Sequence, residues 1–171
     1  MKSKIDLTKI STEQDSKYNN IEKMNILEIL TNINKEDQTV ALSVKKSIPK
    51  IKKLAEKCVQ VLQNNGRIFY VGSGTSGRLG IVDASECPPT YGVPHGMVIG
   101  LIAGGDDAIR TSVEQAEDSL TAGFKDLTKY KVNKKDIVIG ITASGRTPYV
   151  LGALQKCQEW GISTGCIVCS K

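Results

Sequence analysis

Two segments of this chain share one order of features: a short apolar strand, a turn rich in glycine and hydroxyl side chains, and a helical pattern. They occupy residues 67–85 and 136–159, and their turns are Gly72-Ser-Gly-Thr-Ser-Gly77 and Ala143-Ser-Gly-Arg-Thr147. Continuous apolar strands that alternate with helices are typical of a parallel sheet covered on both faces. This repeated order constrains the fold more than any other feature, and it predicts an α/β protein.

The whole region after Gly66 continues the alternation. The predicted strands are 67–71, 97–102, 136–142 and 162–169, and the predicted helices are about 76–85, 107–121 and 148–159. A chain of 171 residues is long enough for one such domain, so we expect a three-layer α/β/α sandwich over residues 66–171. Because only two residues follow the strand at 162–169, the sequence predicts that this domain lacks its last strand.

Residues 1–65 are expected to form an N-terminal arm and helices that pack on the domain. Residues 1–24 are polar and without periodicity, which indicates an extended arm. Apolar spacing predicts helices over 25–33 and 35–62. Pro49 cannot lie in an unbroken helix interior without loss of a hydrogen bond, so a kink or a division into two helices is expected there. Asn64-Asn65-Gly66 should end the helical region.

The charge and the cysteines narrow the classes of function. Most of the formal net charge of +5 lies before residue 66, with six lysines between 45 and 57. These lysines alternate with apolar residues at helical spacing, which favours a solvated helix face over a nucleic-acid surface. No apolar stretch is long enough for a membrane span, and the N-terminus is too polar for a signal peptide, so we expect a soluble, cytoplasmic protein.

The five cysteines are expected to be reduced, buried small side chains. Cys166 and Cys169 have the spacing of a redox or metal pair. On a strand, however, two side chains three residues apart point to opposite faces, which argues against such a pair.

The two hydroxyl-rich turns predict an anion site. Glycines let the backbone approach an anion closely, and the first N–H groups of the following helix have no internal partner. Residues 72–77 also match the G-x-G-x-x-G pattern of dinucleotide folds. That alternative requires an acidic residue at the end of the next strand, whereas Ala103-Gly104-Gly105 precede the first acid, Asp106. A phosphate on a small polar molecule fits both turns better.

Several carboxylates lie near these turns in the sequence. Glu86 precedes Pro88-Pro89, where the first helix is expected to end close to the loop edge of the sheet. Glu114 and Glu117 lie one turn apart on the predicted helix 107–121, a spacing that is most often a solvated face. His95, the sole histidine, follows Pro94 in a loop and is interpreted as non-catalytic.

Longer strings of the sequence carry a resemblance. GSGTSGRLGIVDASECPPTYGV, GLIAGGDDAIR, VEQAEDS and IGITASGRTPYVLGAL resemble the N-acetylmuramic acid 6-phosphate etherase family, whose core is a sugar-isomerase (SIS) domain with flavodoxin-like strand order. The related glucokinase regulatory proteins share the G-T-S-G-R and L-I-A-G-G runs and lack E-C-P-P-T, so the resemblance favours the enzyme. A non-catalytic phosphosugar-binding regulator and an aldose–ketose isomerase of the same fold stay as alternatives.

The resemblance implies a lyase that cleaves the D-lactyl ether of N-acetylmuramic acid 6-phosphate, in amino sugar catabolism and peptidoglycan recycling. It implies that Glu86 protonates the departing lactate oxygen and that Glu117 is the second catalytic carboxylate. The residues expected to bind the phosphosugar are Ser73, Thr75, Ser76, Gly77, Arg78, Ser144, Gly145, Arg146 and Thr147. Such elimination needs a base and an acid, and no metal or other cofactor. The implied partners are a phosphorylated amino sugar and a second copy in a homodimer, with neither nucleic acid nor membrane.

The sequence also departs from the family's pattern. Ser73 stands where alanine is common, Gln115 stands where glycine is usual, and Asp15-Ser16 replace an Arg-Asn pair. The chain also ends before the family's later G-S-S-R-M-K segment and C-terminal helices, which help to build the site and the dimer.

Overall fold

A computed structural model describes residue 12 and residues 14–170 of the chain. The strands are β1 (Ile68–Gly72), β2 (Val98–Ile102), β3 (Ile137–Ile141) and β4 (Ser163–Ile167). The helices are α1 (Ile26–Gln63), α2 (Gly74–Tyr91), α3 (Asp107–Arg110), α4 (Ala122–Lys129) and α5 (Pro148–Glu159), with 3-10 turns at Ile21–Lys23 and Ala116–Asp118. The part of the expected N-terminal arm at residues 1–11 and 13 lies outside the described residues.

The four strands form one parallel sheet in the order β2-β1-β3-β4, which confirms the predicted fold class. Ile68, at the start of the central strand, is in register with Val98 on one side and Ile137 on the other. Alternate strand residues point to opposite faces. Phe69 and Val138 belong to one core cluster together with residues of α4 and α5, whereas Ile68 belongs to a second cluster with residues of α1.

Helix α1 is continuous through Pro49, so the alternative of two separate helices is wrong. A capping box starts the helix, since Asn25 Oδ1 accepts from the Glu28 N–H at 3.0 Å and Glu28 Oε2 accepts from the Asn25 N–H at 2.8 Å. Pro49 removes one hydrogen bond from a 38-residue helix that otherwise keeps its backbone ladder, and the helix tolerates the loss. It ends at Gln63, before Asn64-Asn65-Gly66 as expected.

Helix α2 also passes through its prolines, and the expected end near residue 85 is wrong. It continues to Tyr91, where Gly92 takes a left-handed conformation (φ 66°) and donates its N–H to the Pro88 carbonyl at 2.9 Å. Pro88 and Pro89 fall in the last turn and a half, where loss of two N–H donors interrupts little of the ladder. Glu86 therefore lies inside the helix, about 18 Å along its axis from Gly74.

The predicted helix 107–121 is replaced by the four-residue α3 and the 3-10 turn at Ala116–Asp118. Gln115 has a positive φ of 63°, which the interior of a right-handed α-helix does not accommodate. Helix α4 follows, in a stretch for which the sequence pattern predicts no element. It packs through Leu127 and Phe124 into the core cluster of α5, because its apolar residues recur at helical spacing.

The cysteines are free, yet the expectation that all are buried is wrong. Cys157 is buried, Cys58 and Cys87 are partly buried, and Cys166 and Cys169 are exposed. Cys166 lies on β4, which ends at Ile167, so Cys169 is already beyond the strand. Within the described residues, no helix is long and apolar enough to cross a membrane.

Candidate functional site

The two hydroxyl-rich turns lie side by side at the carboxyl edge of the sheet. Gly72 ends β1 in register with Ile141, which ends β3, and the two strands are neighbours. Each turn leads directly into a helix, α2 or α5, whose N-terminus faces this edge. In open parallel α/β sheets, ligands bind in the crevice outside the carboxyl ends of the strands. The predicted anion loops therefore share one edge.

The first turn opens directly into α2. Ser73 is the N-cap residue in an extended conformation, and Gly74 has a φ of 50° that favours glycine. The Gly77 N–H donates to the Ser73 carbonyl at 3.1 Å and closes the first helical turn. The N–H groups of Gly74, Thr75 and Ser76 have no intrahelical acceptor by helix geometry. Together with the hydroxyl groups of Thr75 and Ser76, these N–H groups form a set of donors suited to phosphate oxygens.

Gly77 fixes how closely this helix approaches the sheet. A Cβ at this position would lie 2.6 Å from Ile102 Cγ1 and 3.0 Å from the Gly72 carbonyl oxygen. Since Gly77 is buried, no side chain fits without moving β2 or the turn. The third glycine of the motif thus holds the N-terminus of α2 against the strand ends, as a phosphate-binding turn requires.

The second turn is ordered by its own hydroxyl groups. Thr147 Oγ1 lies 2.9 Å from the Oγ1 of Thr142, a buried residue directly after β3. If the Thr142 hydroxyl donates in this contact, the Thr147 proton is free for a ligand. Ser144 Oγ accepts from the Arg146 N–H at 3.2 Å, and Gly145 has a φ of 71°. Thr142 was missed in the sequence, although a hydroxyl at the strand end next to the turn was a usable signal.

One of the two predicted catalytic carboxylates lies at this edge. Glu117 is in the 3-10 turn after α3, and its Oε2 accepts from the Ser73 hydroxyl at 2.6 Å. Hydrogen bonds to ionised carboxylates are short and stronger than neutral ones, so this contact fixes the carboxylate beside the first turn. The pair Glu114 and Glu117 does not share a helix face, because α3 ends at Arg110.

The other predicted carboxylate is remote from this edge. Glu86 is exposed on α2, and the helix runs from the carboxyl edge of the sheet toward the amino edge. Glu117 contacts the N-cap of this helix, whereas Glu86 lies about 18 Å further along its axis. The expectation that Glu86 ends a helix beside the binding edge is therefore wrong. Within one chain the two carboxylates do not meet.

Arg78 makes contacts to the backbone. Its Nε donates to the Ile109 carbonyl and one of its terminal nitrogens donates to the Ala108 carbonyl, both at 2.8 Å. The guanidinium thereby ties α2 to the short helix α3. Arg146 in the second turn is exposed, and His95 is exposed in the turn before β2. No three histidine, cysteine, aspartate or glutamate side chains converge on a metal position in the described residues.

Comparison with known sequences gives three findings. Residues 50–158 match the family described as the glucokinase regulatory protein N-terminal SIS domain. Two proteins named N-acetylmuramic acid 6-phosphate etherase, from Christiangramia forsetii and Bacteroides fragilis, are 56% and 57% identical over 93% and 91% of this chain. The etherase of Lactococcus lactis is 47% identical over 97% of the chain. The resemblance predicted from the motifs is confirmed.

The chain spans a little over half the length of these relatives, between 56% and 58%. Among solved structures, a phosphoheptose isomerase from Neisseria gonorrhoeae superposes with a TM-score of 0.65 at 17% identity, over 84% of this chain and 75% of that one. A phosphoheptose isomerase from Francisella tularensis gives 0.61 at 20% identity, over 85% and 75%. At this identity the likeness establishes the fold alone.

Proposed function

The chain belongs to the family described as the glucokinase regulatory protein N-terminal SIS domain, and from that premise we propose that its two hydroxyl-rich turns bind a phosphorylated amino sugar. We further propose that the protein is a carbon–oxygen lyase. Its reaction would cleave the D-lactyl ether of N-acetylmuramic acid 6-phosphate and give N-acetylglucosamine 6-phosphate and D-lactate. The observation that carries this proposal is the identity above 50% to relatives named for that etherase, over more than nine tenths of the chain.

The binding edge supports the phosphosugar part of the proposal. Four hydroxyl side chains, on Thr75, Ser76, Ser144 and Thr147, lie in two turns on neighbouring strands. The unpaired N–H groups at the start of α2 and the positive end of the helix dipole favour a dianion there. The half of the chain that carries the turns is nearly neutral, so selectivity would come from these directed donors rather than from bulk charge.

The proposed chemistry divides between two carboxylates. In the open-chain sugar, the carbon next to the C1 aldehyde carries an acidic proton, and a carboxylate can remove it. A carboxylic acid then donates a proton to the ether oxygen at C3 as the C–O bond breaks, and lactate leaves. Water adds to the resulting double bond and restores the hydroxyl at C3. We assign the base to Glu117, which lies beside the first turn, and the acid to Glu86.

The distance between these carboxylates bears on the assembly. Glu86 lies about 18 Å along α2 from the end of the helix that Glu117 contacts, so one chain cannot place both on one sugar. An exposed Glu86 on a helix face can reach the binding edge of another molecule. We therefore propose a homodimer in which the Glu86 carboxylate of one copy completes the site that contains Glu117 of the other.

The experiment that tests the lyase is release of D-lactate from N-acetylmuramic acid 6-phosphate, measured enzymatically, with the Bacteroides fragilis relative as positive control. We expect release by this chain and its loss in Glu117→Gln, because the amide keeps the shape and cannot remove the proton. Glu114→Gln is the matched control and should keep the wild-type rate, since Glu114 is exposed and three residues away. A folded wild-type chain that releases no lactate, under conditions in which the positive control does, would refute the lyase assignment for this chain.

Mixing two inactive variants tests the shared site. Glu86→Gln and Glu117→Gln are each expected to be inactive as homodimers. If they are co-expressed in equal amounts, half of the dimers are mixed and each mixed dimer has one intact site, so we expect about a quarter of the wild-type rate. If both acids acted from one chain, the mixture would stay inactive. Full activity of Glu86→Gln alone would remove Glu86 from the mechanism.

The family match favours one second candidate, a phosphosugar-binding regulator without catalysis. Titration calorimetry with N-acetylglucosamine 6-phosphate and with N-acetylglucosamine, together with the lactate assay, separates the two functions. Binding of the phosphorylated sugar without any lactate release supports the regulator. Equal binding of both sugars, or of neither, would contradict a phosphosugar site at these turns.

A further inference from the structure

The hydroxyl group of Thr142 is buried at the point where β3 meets the second turn. Thr142 is 5% exposed, and its N–H continues the sheet by donating to the Ile167 carbonyl at 3.1 Å. Within the described residues, its hydroxyl has one hydrogen-bond partner, the Thr147 hydroxyl at 2.9 Å. Thr142 therefore combines a fixed backbone with a single side-chain contact toward the binding edge.

Burial decides which of these two hydroxyls donates. A threonine hydroxyl has one proton and two lone pairs, so one residue of the pair donates and the other accepts. If the Thr142 proton did not point at Thr147, it would have no acceptor among the described residues, and a buried donor without an acceptor is costly. Thr147 is only partly buried, so its proton can turn to solvent without that cost. The arrangement with Thr142 as the donor is therefore the stable one.

The contact also determines how Thr147 is used. Thr147 is the N-cap residue of α5, a position where a threonine hydroxyl commonly accepts from a backbone N–H of the first turn. In the described structure its side chain makes no such bond. Ser73, the N-cap residue of α2, likewise makes none there, and its hydroxyl donates to Glu117 at 2.6 Å. The Ser73 proton is thus taken by a carboxylate, whereas the Thr147 proton is not taken.

We propose that Thr142 is a positioning residue of the binding edge, whose hydroxyl donates to Thr147 and so directs the Thr147 proton to the ligand. The inference rests on the phosphosugar site proposed above and adds the residue that sets the direction of one of its donors. A hydroxyl that accepts a hydrogen bond becomes a better donor, because hydrogen bonds in a chain polarise one another. The second turn then favours ligand oxygens that only accept, such as those of a phosphate dianion.

Calorimetry with N-acetylglucosamine 6-phosphate tests this role. Thr142→Val removes the hydroxyl and keeps the branched shape, and it should weaken binding about 3- to 10-fold, the effect of one neutral hydrogen bond. Thr142→Ser keeps the hydroxyl and should bind within about twofold of the wild type. Thr164→Val is the matched control. It also removes a strand hydroxyl with a side-chain partner, Gln158 Nε2 at 3.1 Å, but near the amino end of β4, and it should bind as the wild type does.

The coupling between the two threonines separates positioning from packing. With Thr147→Val already present, Thr142→Val should change the dissociation constant by less than about twofold, because the proton that Thr142 directs is gone. A loss as large in this background as in the wild type would show that Thr142 acts through packing, and it would overturn the proposal. Equal binding by the wild type and Thr142→Val would overturn it as well. A wild-type chain that does not bind the phosphosugar would refute the proposed site itself, and the role of Thr142 with it.

The exchange of hydroxyl protons with water tests the direction of the bond in the wild-type chain, without any variant that must fold. It is measured by nuclear magnetic resonance on isotope-labelled threonine. The Thr142 hydroxyl proton should exchange slowly with and without ligand. The Thr147 hydroxyl proton should exchange fast in the free chain and slowly once N-acetylglucosamine 6-phosphate is bound. Slow exchange of the Thr147 proton in the free chain would show that Thr147 is the donor, contrary to the proposal.

Discussion

Replacement of Asp136 by asparagine should destabilise this protein far more than a change of one atom suggests. Asp136 is 1% exposed and lies just before β3. One carboxylate oxygen accepts from the Arg67 N–H at 2.9 Å and from Arg67 Nε at 3.2 Å. The other accepts from an Arg67 terminal nitrogen at 2.8 Å and from the backbone and side-chain amides of Asn133 at 2.9 and 3.1 Å.

The magnitude follows from counting donors. An asparagine at position 136 has one oxygen and one NH₂ group, so whichever way the amide turns, at least two of these five donors face another donor. A buried donor left without an acceptor costs about 1–3 kcal/mol, and the variant should therefore lose about 2–6 kcal/mol. A typical domain has only about 5–15 kcal/mol of stability, so Asp136→Asn should be close to unfolding.

Urea denaturation followed by circular dichroism measures this loss. The matched control is Glu159→Gln, which also removes a carboxylate charge from an ion pair, with Lys156 at 2.6 Å, but on the exposed surface. A surface pair contributes less than about 1 kcal/mol. If the free energy of unfolding fell equally in the two variants, the buried network would stabilise the fold no more than a surface ion pair does.

Three further predictions concern the binding edge and the cysteines. Ser144→Ala and Thr147→Val should each weaken binding of N-acetylglucosamine 6-phosphate by about 10- to 150-fold, since a hydrogen bond to a charged group contributes about 1.5–3 kcal/mol. Binding of the unphosphorylated sugar should not change. Equal weakening of the binding of both sugars in calorimetry would argue against phosphate contacts. Burial raises the pKa of Cys157 to about 11. Ellman's reagent at pH 8 should therefore label the exposed Cys166 and Cys169 first, and Cys157 only after unfolding. Rapid labelling of Cys157 in the native protein would contradict its burial. Because the pKa of Cys157 in the folded state exceeds the ordinary 9.0, this thiol loses its proton at lower pH in the unfolded state. The free energy of unfolding should therefore fall as the pH rises from 9 toward 11. A free energy of unfolding that stays constant over that range in urea titrations would count against the raised pKa.

The strands and the turns between strand and helix were readable from the sequence because their signals are local. Apolar runs of β-branched residues gave β1 and β3 to within one or two residues. Gly72 to Gly77 identified a turn with unpaired N–H groups because glycine and hydroxyl residues have few other reasons to cluster there.

The errors came from positions where wider context overrides a local rule. Pro49 and Pro88 should end or divide helices by local rules, yet each lies inside one. At each site the lost hydrogen bonds are few compared with those that the rest of the helix keeps. Glu117 was placed on the predicted helix 107–121, which the left-handed Gln115 breaks. The glycine that is usual at this position in the resembling family was a usable signal for that conformation.

The strand order has a consequence for how the protein is synthesised. β1 pairs with β2, which follows within 30 residues, but its other edge waits for β3, whose Ile137 pairs with Ile68 across nearly 70 residues. Translation proceeds at about 5–20 residues per second, so the nascent β1–α2–β2 unit exposes an unpaired apolar edge for roughly 2–8 s before β3 is complete. During that interval the hydroxyl-rich turn after β1 lacks its neighbour, the turn after β3. A ligand that bridges both turns can therefore stabilise the nascent chain only after residue 147 has been made.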